Sequence, residues 1–408
     1  MTTFSNIPAL SKEDQAFISK HIQEDTSALL LRHQAMPGIR MLVGQIAARQ
    51  KARKKLPEWY ANPALIFPPP LSVEQSSSET TARFKATLCH GNCLIDTTGG
   101  MGVDCYYMSK VFEKVIYLEN QPQVAHTAAH NFGALGATKI TVCAENAVDY
   151  LNQTNATADV IYSDPARRDG LQRKIAQLND CTPDLTKVLP TLLRAAPLIL
   201  VKTAPLLDID QAISQLAHVR DVYVIGLDGE CKEVLYFLDA QKRMSTDIPI
   251  RVRVLFPDAQ VQHAFDFTRG EEQHVTTTFS DPQSFLYEPH PALLKSGAFK
   301  TVAERFGLAK LAQHTHLYTS RHFVADFPGR SFEIRAVCKP NAREIAAYVP
   351  DGKANLTVRN FPAKTDDLRK KWRLKEGGDT YLFAAELKNS QKVVIITRKP
   401  THSDGTND

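Results

Sequence analysis

Asp96-Thr97-Thr98-Gly99-Gly100-Met101-Gly102-Val103-Asp104 follows the short apolar run Cys93-Leu94-Ile95, and this stretch decides how the chain around it folds. An apolar strand ending in an acid and then a glycine-rich turn is how an open α/β sheet builds a ligand site at its carboxyl edge. Gly100 and Gly102 stand four and six residues after Asp96. Glycine suits these positions because the backbone must turn tightly and pass close to a ligand without a Cβ in the way. A dinucleotide site would read GxGxxG, with the pyrophosphate on a helix N-terminus. The spacing here is DxxxGxG, with no third glycine. That pattern favours a cofactor whose cationic amino group is drawn to a carboxylate.

Further short apolar runs follow along the chain: Val115-Ile116-Tyr117-Leu118, Ile140-Thr141-Val142, Val160-Ile161-Tyr162 and Leu198-Ile199-Leu200-Val201. Each is nearly continuous in apolar character, as strands buried on both faces are. The segments between them are long enough for crossover helices, for example Gln123 to Phe132. Val222-Tyr223-Val224-Ile225 and Val234-Leu235-Tyr236-Phe237 flank an Asp-Gly turn and read as a hairpin. The expected fold is therefore α/β: a seven-stranded Rossmann-like sheet, mostly parallel with one antiparallel strand.

The acidic residues at the predicted strand ends carry the chemistry. Glu119 lies 23 residues after Asp96, at the tip of the second strand, where a carboxylate accepts hydrogen bonds from ribose hydroxyls. Glu145-Asn146 follows the third strand, where an amide can meet an adenine amino group, although Asn146 equally suits a helix cap. Asp164-Pro165-Ala166-Arg167 follows the fourth strand. The Asp164 carboxylate and the Pro165 carbonyl can hold the hydrogens of a reacting amine and aim its lone pair at a methyl donor. An Asp-Pro turn is also common without any such role. Arg167 and Arg168 could bind phosphate, or Arg167 could stack on a base. Lys202, after the fifth strand, is either a substrate-side rim residue or a surface lysine. Together the set points to S-adenosylmethionine as cofactor, bound by Asp96, Thr98, Gly100, Gly102, Glu119 and Asn146.

Outside this segment, residues 1–70 read as a helical region. Ser11 is a helix cap with Asp14 three residues on, and Pro57, Pro63, Pro68, Pro69 and Pro70 break regular structure. Ser76-Ser77-Ser78-Glu79 caps a helix that covers either the cofactor or a sheet edge. The α/β segment spans 71–243. Beyond it, α+β modules are expected over 244–325 and 326–400, the first opening with the strand Arg251 to Phe256, and then a disordered tail over 401–408. His126, His130, His314 and His316 are expected to be structural or surface residues.

The 43% hydrophobic and 23% charged content is ordinary for a soluble globular protein, and no apolar run approaches the ~20 residues of a bilayer helix. Met1 to Leu10 lacks a basic start and a long apolar stretch, so no secretory signal is expected. Seven cysteines without a CxxC pair fit reduced thiols in the cytoplasm, with neither a zinc site nor a membrane association. The net charge of +5 hides an asymmetry: residues 91–240 hold 12 Lys+Arg against 18 Asp+Glu, so the flanks carry the positive charge. A basic periphery around an acidic centre suits a polyanion-binding enzyme.

The central segment resembles class I S-adenosylmethionine-dependent methyltransferases. More specifically, the chain resembles the bacterial members that carry a small ferredoxin-like module and a C-terminal THUMP-like domain. The resemblance is carried by Leu71 to Ala82, Asp96 to Asp104, Asp164 to Arg168, Tyr287-Glu288-Pro289-His290-Pro291-Ala292, His316 to Ser320 and Arg359-Asn360-Phe361-Pro362. It implies that Asp164, Pro165 and Arg167 face the acceptor, and that the THUMP-like module over 326–400 binds RNA, either rRNA or tRNA. Charge agrees, because residues 359–375 hold seven Lys+Arg against two Asp. Arg359, Arg369, Lys370, Lys371 and Arg373 are the expected phosphate contacts, with Phe361 and Trp372 among them. Enzymes that methylate base amines usually follow Asp-Pro with a second Pro and an aromatic that stacks on the flipped base. Here Ala166 and Arg167 stand in those places, so the acceptor is a base nitrogen with Arg167 stacking on it, or something else. The expected function is methylation of an rRNA or tRNA base nitrogen. Competing readings are a small-molecule or protein methyltransferase, a catalytically silent RNA-binding protein, and a nicotinamide-dependent oxidoreductase, against which the missing third glycine speaks.

Overall fold

Ser11 opens the first helix, Lys12–His21, with a reciprocal cap: its hydroxyl accepts from Asp14 N–H at 3.0 Å while Asp14 accepts from Ser11 N–H at 3.0 Å. The computed structural model describes residues 10–167, 178–241 and 247–400. Helices Thr26–Arg32 and Ile39–Lys55 pack with the first around Ile18, Leu29, Ile39, Leu42, Val43 and Ile46. Pro57 and Pro70, expected to break structure, instead begin the short helices Pro57–Ala61 and Pro70–Gln75. Proline costs nothing at the first helical position, because its missing N–H would have no partner there. As expected, Ser78 caps the helix Glu79–Leu88, its hydroxyl accepting from Thr81 N–H.

The α/β sheet begins with β1 (Gly91–Asp96), β2 (Phe112–Leu118), β3 (Ile140–Cys143), β4 (Val160–Ser163) and β5 (Leu198–Thr203). β1 pairs in parallel with β2 and β4, β2 with β3, and β4 with β5. β6 (Val219–Leu227) and β7 (Glu230–Asp239) are joined through Asp228 and Gly229, both at positive φ as a tight hairpin turn requires. β7 runs antiparallel to β5. Two further strands, β8 (Pro249–Leu255) and β9 (Val261–Thr268), belong to the same sheet, whose order is β9-β8-β6-β7-β5-β4-β1-β2-β3. The sheet thus has nine strands rather than seven. Alternation of Ile250, Val252 and Val254 with arginines identifies β8 as a strand, but that pattern says nothing about which sheet it joins. The succession from β3 to β1 and then to β4 puts the reversal of strand order between β1 and β4, where open α/β sheets open a crevice at their carboxyl ends.

The second sheet comprises β10 (Phe285–Pro289), β11 (Ala309–Lys310), β12 (Tyr318–Ser320), β13 (Gly329–Cys338), β14 (Asn355–Arg359), β15 (Thr380–Glu386) and β16 (Lys392–Arg398). Its order is β11-β12-β10-β13-β16-β15-β14, and β14–β15 is a parallel pair within it. Period-two alternation explains its core. Leu382 and Ala384 of β15 join Leu368, Trp372 and Ile396 on one face, while Phe383 and Ala385 join Leu286, Phe332 and Ile395 on the other.

The chain divides into two compact units. One comprises Met1–Ile225, Glu233–Thr246 and Leu255–Val261; the other comprises Gly226–Lys232, Asp247–Val254 and Gln262–Asp408. Among the described residues, no helix is long and apolar enough to cross a membrane. The 401–408 tail lies outside the described residues.

Candidate active site

The turn after β1 is held by the neighbouring strand. Gly100 N–H donates to Glu119 Oε2 at 2.9 Å, and Gln121 N–H donates to Glu119 Oε1 at 2.9 Å. Tyr117 O–H donates to the Gly100 carbonyl at 2.6 Å. Its ring fills the space beside Gly99, where an added Cβ would lie 2.3 Å from Tyr117 Cζ. Gly102 sits at φ +82° with Phe132 against it, so a side chain there is both strained and obstructed. Gly100, at φ +57°, has only the Thr98 carbonyl near its missing Cβ among the described residues, at 3.6 Å, which leaves its outer side open with respect to them.

Asp96 is buried, and one of its oxygens accepts from Thr98 N–H at 3.0 Å. Burial pushes its carboxyl up to about 8; the Thr98 N–H opposes this, while Asp104, Asp164 and Glu119 add to it. Four carboxyl groups thus converge at the carboxyl ends of β1, β2 and β4. Thr98 also ties the turn to the next loop, its hydroxyl accepting from Asp164 N–H at 2.6 Å.

Asp104 opens into a buried charge cluster. Ser77 and Tyr162 each donate a hydroxyl to its Oδ2 at 2.7 Å. Lys85 Nζ lies 3.1 Å from Asp104 Oδ1, donates to Ser77 Oγ at 3.0 Å, and reaches both oxygens of Glu233. Burial alone would raise the Asp104 carboxyl, but Lys85, Lys202 and the two hydroxyls bring it below the ordinary aspartate value. Lys202, at the end of β5, is buried rather than on the surface and donates to Asp164 Oδ2. Its burial favours the neutral amine, yet Asp164, Asp104 and Glu233 outweigh this and raise its pKa above the usual lysine value.

The sequence-predicted residues distribute as follows. Asp96, Thr98, Gly100, Glu119, Asp164 and Lys202 are linked through the bonds above, and Gly102 caps the helix Val103–Met108 that follows. Pro165 is buried beside Asp164. Asn146 caps the helix Ala147–Thr154, its side chain accepting from Val148 and Asp149 N–H at 2.9 and 3.3 Å. Ala166 and Arg167 form a two-residue ribbon with Cys181 and Thr182; the Arg167 side chain and all of Arg168 lie outside the described residues. No motif in the local sequence singles out Lys85, Asp104, Tyr117 or Glu233 as site residues. The signal for Lys85 and Glu233 is a charge in an apolar context: Lys85 beside Ala82 and Ala86 on one helix face, Glu233 leading into Val234-Leu235-Tyr236.

In the second unit the basic stretch separates into two groups. Arg359 Nη2 pairs with buried Glu288 Oε1 at 2.6 Å, and Arg330 Nε donates to Glu288 Oε2 at 2.8 Å. Arg369 pairs with Glu376 at 3.2 Å. Lys370, Lys371 and Arg373 are exposed at the C-terminal end of the helix Thr365–Trp372. Trp372 is in the core, and Phe361 is partly buried against that core, so Trp372 is a core residue rather than part of a base-stacking surface.

Comparison with known proteins adds the family. Residues 285–328 match the model of a ferredoxin-like domain, and residues 329–399 match a THUMP domain-like model. These mark a class of chain in which an α/β sheet with a glycine turn at its strand ends precedes a ferredoxin-like and a THUMP-like domain. A protein of Porphyromonas gingivalis W83, described as a "putative methyltransferase", is 30% identical with a TM-score of 0.84, over 95% of this chain and 98% of its own. The chain belongs to the family of this protein. An rRNA methylase from Streptococcus thermophilus is 12% identical with a TM-score of 0.29, over 39% of this chain and 93% of its own. A SAM-dependent methyltransferase from Neisseria gonorrhoeae, NGO1261, is 18% identical with a TM-score of 0.29, over 40% of this chain and 66% of its own. At such scores neither likeness bears on the chemistry of this chain. No curated protein matches it.

Proposed function

We propose that this protein is an S-adenosylmethionine-dependent methyltransferase that modifies RNA. The observation that carries the reading is the group of four acids, Asp96, Asp104, Glu119 and Asp164, around a glycine turn that is open on the side of Gly100. Lys85 and Lys202 attend Asp104 and Asp164, but Asp96 has no cation bonded to it among the described residues. A carboxyl that burial, and then its acidic neighbours, hold near 8 fits a ligand that brings positive charge, as a sulfonium cofactor with an α-ammonium does. The family relationship and its THUMP-like domain support the same reading.

In this reading Asp96 receives the cationic end of the cofactor, and Thr98, Gly100 and Gly102 form its cradle. Glu119 keeps lone pairs for ribose hydroxyls beyond the two backbone bonds it accepts, and Asn146 borders the adenine end. When bound, S-adenosylmethionine supplies an electrophilic methyl group on sulfur. Asp164, Pro165 and Arg167 act on the acceptor, with Lys202 fixing the Asp164 carboxylate. The base-nitrogen acceptor expected from the sequence stands on the Asp164-Pro165 pair. Lys370, Lys371 and Arg373 contact phosphates, while Arg359 and Arg369, the other two expected contacts, are paired with Glu288 and Glu376. The cofactor-binding domain begins near residue 71, the two C-terminal modules divide near residues 325–329, and the protein works in the cytoplasm on rRNA or tRNA.

The test is transfer of label from S-adenosylmethionine to RNA taken from cells lacking the gene. Calorimetry of cofactor binding runs beside it. Binding without transfer to any RNA fraction would remove RNA from the reading, and absence of binding would remove the cofactor.

A further inference from the structure

The acceptor side of the site is a matched pair of one acid and one base. Lys202 spends one of its three N–H donors on Asp164 Oδ2, while Asp164 Oδ1 accepts no hydrogen bond among the described residues. Asp164 is the more open of the two, its side chain 31% exposed against 11% for Lys202. Behind them, Lys85 pairs with both Asp104 and Glu233, and its single charge cannot offset the two, so they also draw the Lys202 ammonium and keep it charged. What this pair offers a substrate is one acceptor and, beside it, one cationic donor.

Counting hydrogen bonds decides which nucleophile fits. An exocyclic base amine has two hydrogens and must keep its nitrogen lone pair free for the methyl group. Asp164 Oδ1 and the Pro165 carbonyl could accept both hydrogens, but such an amine wants no donor, and the Lys202 ammonium beside it competes for that lone pair. A hydroxyl has one hydrogen and two lone pairs. It gives its hydrogen to Asp164, takes one N–H from Lys202, and keeps the second lone pair for the methyl. Ala166 and then Arg167 follow Pro165, so no aromatic stands there to stack on an extruded base.

We infer that the acceptor is a hydroxyl oxygen, the ribose 2′-hydroxyl of RNA, and that Lys202 is the catalytic residue holding that oxygen opposite Asp164. The inference rests on the RNA methyltransferase reading and changes its acceptor atom from nitrogen to oxygen. In the step, a lone pair of the hydroxyl oxygen forms the new C–O bond. The S–C bond of the methyl donor breaks and its electron pair stays on sulfur, which leaves as a neutral thioether. The hydroxyl proton passes to Asp164 Oδ1 and from there to solvent.

The full chain, S-adenosylmethionine labelled in its methyl group and RNA from cells lacking the gene form the assay. Products are split by alkali and then identified as nucleosides by mass spectrometry. Label is expected in alkali-resistant dinucleotides that yield a 2′-O-methylnucleoside, because a methylated 2′-oxygen cannot attack the neighbouring phosphate. Lys202→Met should slow transfer about 100-fold or more while leaving cofactor affinity within a few-fold, with Lys202→Arg retaining part of the rate. Label in base-methylated nucleosides, or an unchanged rate in folded Lys202→Met, overturns the hydroxyl inference and leaves the methyltransferase reading intact. No label in any RNA, with cofactor bound, overturns both. Nucleoside identity comes from the unaltered protein and does not depend on either variant folding.

Discussion

Lys85 Nζ donates to both carboxylate oxygens of Glu233, at 2.8 and 2.7 Å, with both side chains buried. The two residues lie 148 positions apart and join the helix that precedes β1 to the hairpin strand β7. Removing one partner of such a pair strands a charge out of water, at a cost of about 3–5 kcal/mol. Lys85→Met is expected to lose about that much stability in urea unfolding, because Glu233 and Asp104 both depend on it. Lys85→Met combined with Glu233→Gln should recover part of the loss. Strictly additive losses would mean that the pair is not coupled.

Asp96 should make both stability and cofactor binding depend on pH. With its carboxyl held at about 8, it keeps its proton in the folded protein at pH values where the unfolded chain has already lost it. The unfolded state therefore binds fewer protons between about pH 4 and 8, and stability falls as pH rises through that window. Asp96→Asn should abolish the fall, so the variant gains on the wild type as pH increases towards 8 and matches it near pH 4. A cation arriving at Asp96 favours the carboxylate and expels its proton. Titration calorimetry at neutral pH in two buffers of different ionisation enthalpy should report proton release, fading above about pH 8. Proton uptake, or no linkage at all, would place the cationic end of the cofactor elsewhere.

Gly99 and Gly102 are expected to fail differently when replaced by alanine. A Cβ at Gly99 would meet the Tyr117 ring at 2.3 Å, and that ring carries the hydroxyl that holds the Gly100 carbonyl. Gly99→Ala should therefore displace the turn and weaken cofactor affinity together with stability. Gly102→Ala puts a Cβ at an already positive φ and against Phe132, and should cost about 1–3 kcal/mol in thermal or urea unfolding. Full stability in Gly102→Ala would show that the helix start can shift to absorb the methyl.

How much of this was legible in the sequence follows from the range of the interactions involved. β1 to β5 could be read because strands buried on both faces leave continuous apolar runs, and the turn after β1 because its backbone demands glycine. Asp96, Glu119 and Asp164 could be read because each ends a strand. Which sheet β8 joins could not be read, since alternation reports a face and not a neighbour. Nor could the pairing of Lys85 with Glu233 or of Lys202 with Asp164, because the partners meet only once the strand order exists. Trp372 misled for a related reason: flanked by lysines and arginines it looks exposed, yet it lies on the inner face of a short amphipathic helix. Arg359 looked like one more phosphate contact until Glu288 of β10 supplied its partner.

That separation of the basic residues gives a prediction with two opposite signatures. Lys370, Lys371 and Arg373 are exposed, so they can exchange counterions for RNA phosphates. Replacing all three with alanine should lower RNA affinity with little change in stability. It should also reduce the slope of log affinity against log salt by about 2, at ~0.7 per single-strand phosphate contact. Arg359→Ala should do the reverse. Its guanidinium satisfies a carboxylate oxygen of buried Glu288, so its loss should cost about 1–3 kcal/mol of stability and leave the salt slope near the wild-type value. Binding titrations over a range of salt, paired with unfolding curves for the same variants, separate the two. A slope that Arg359→Ala flattens as much as the triple variant does would mean that Arg359 leaves Glu288 for phosphate when RNA binds.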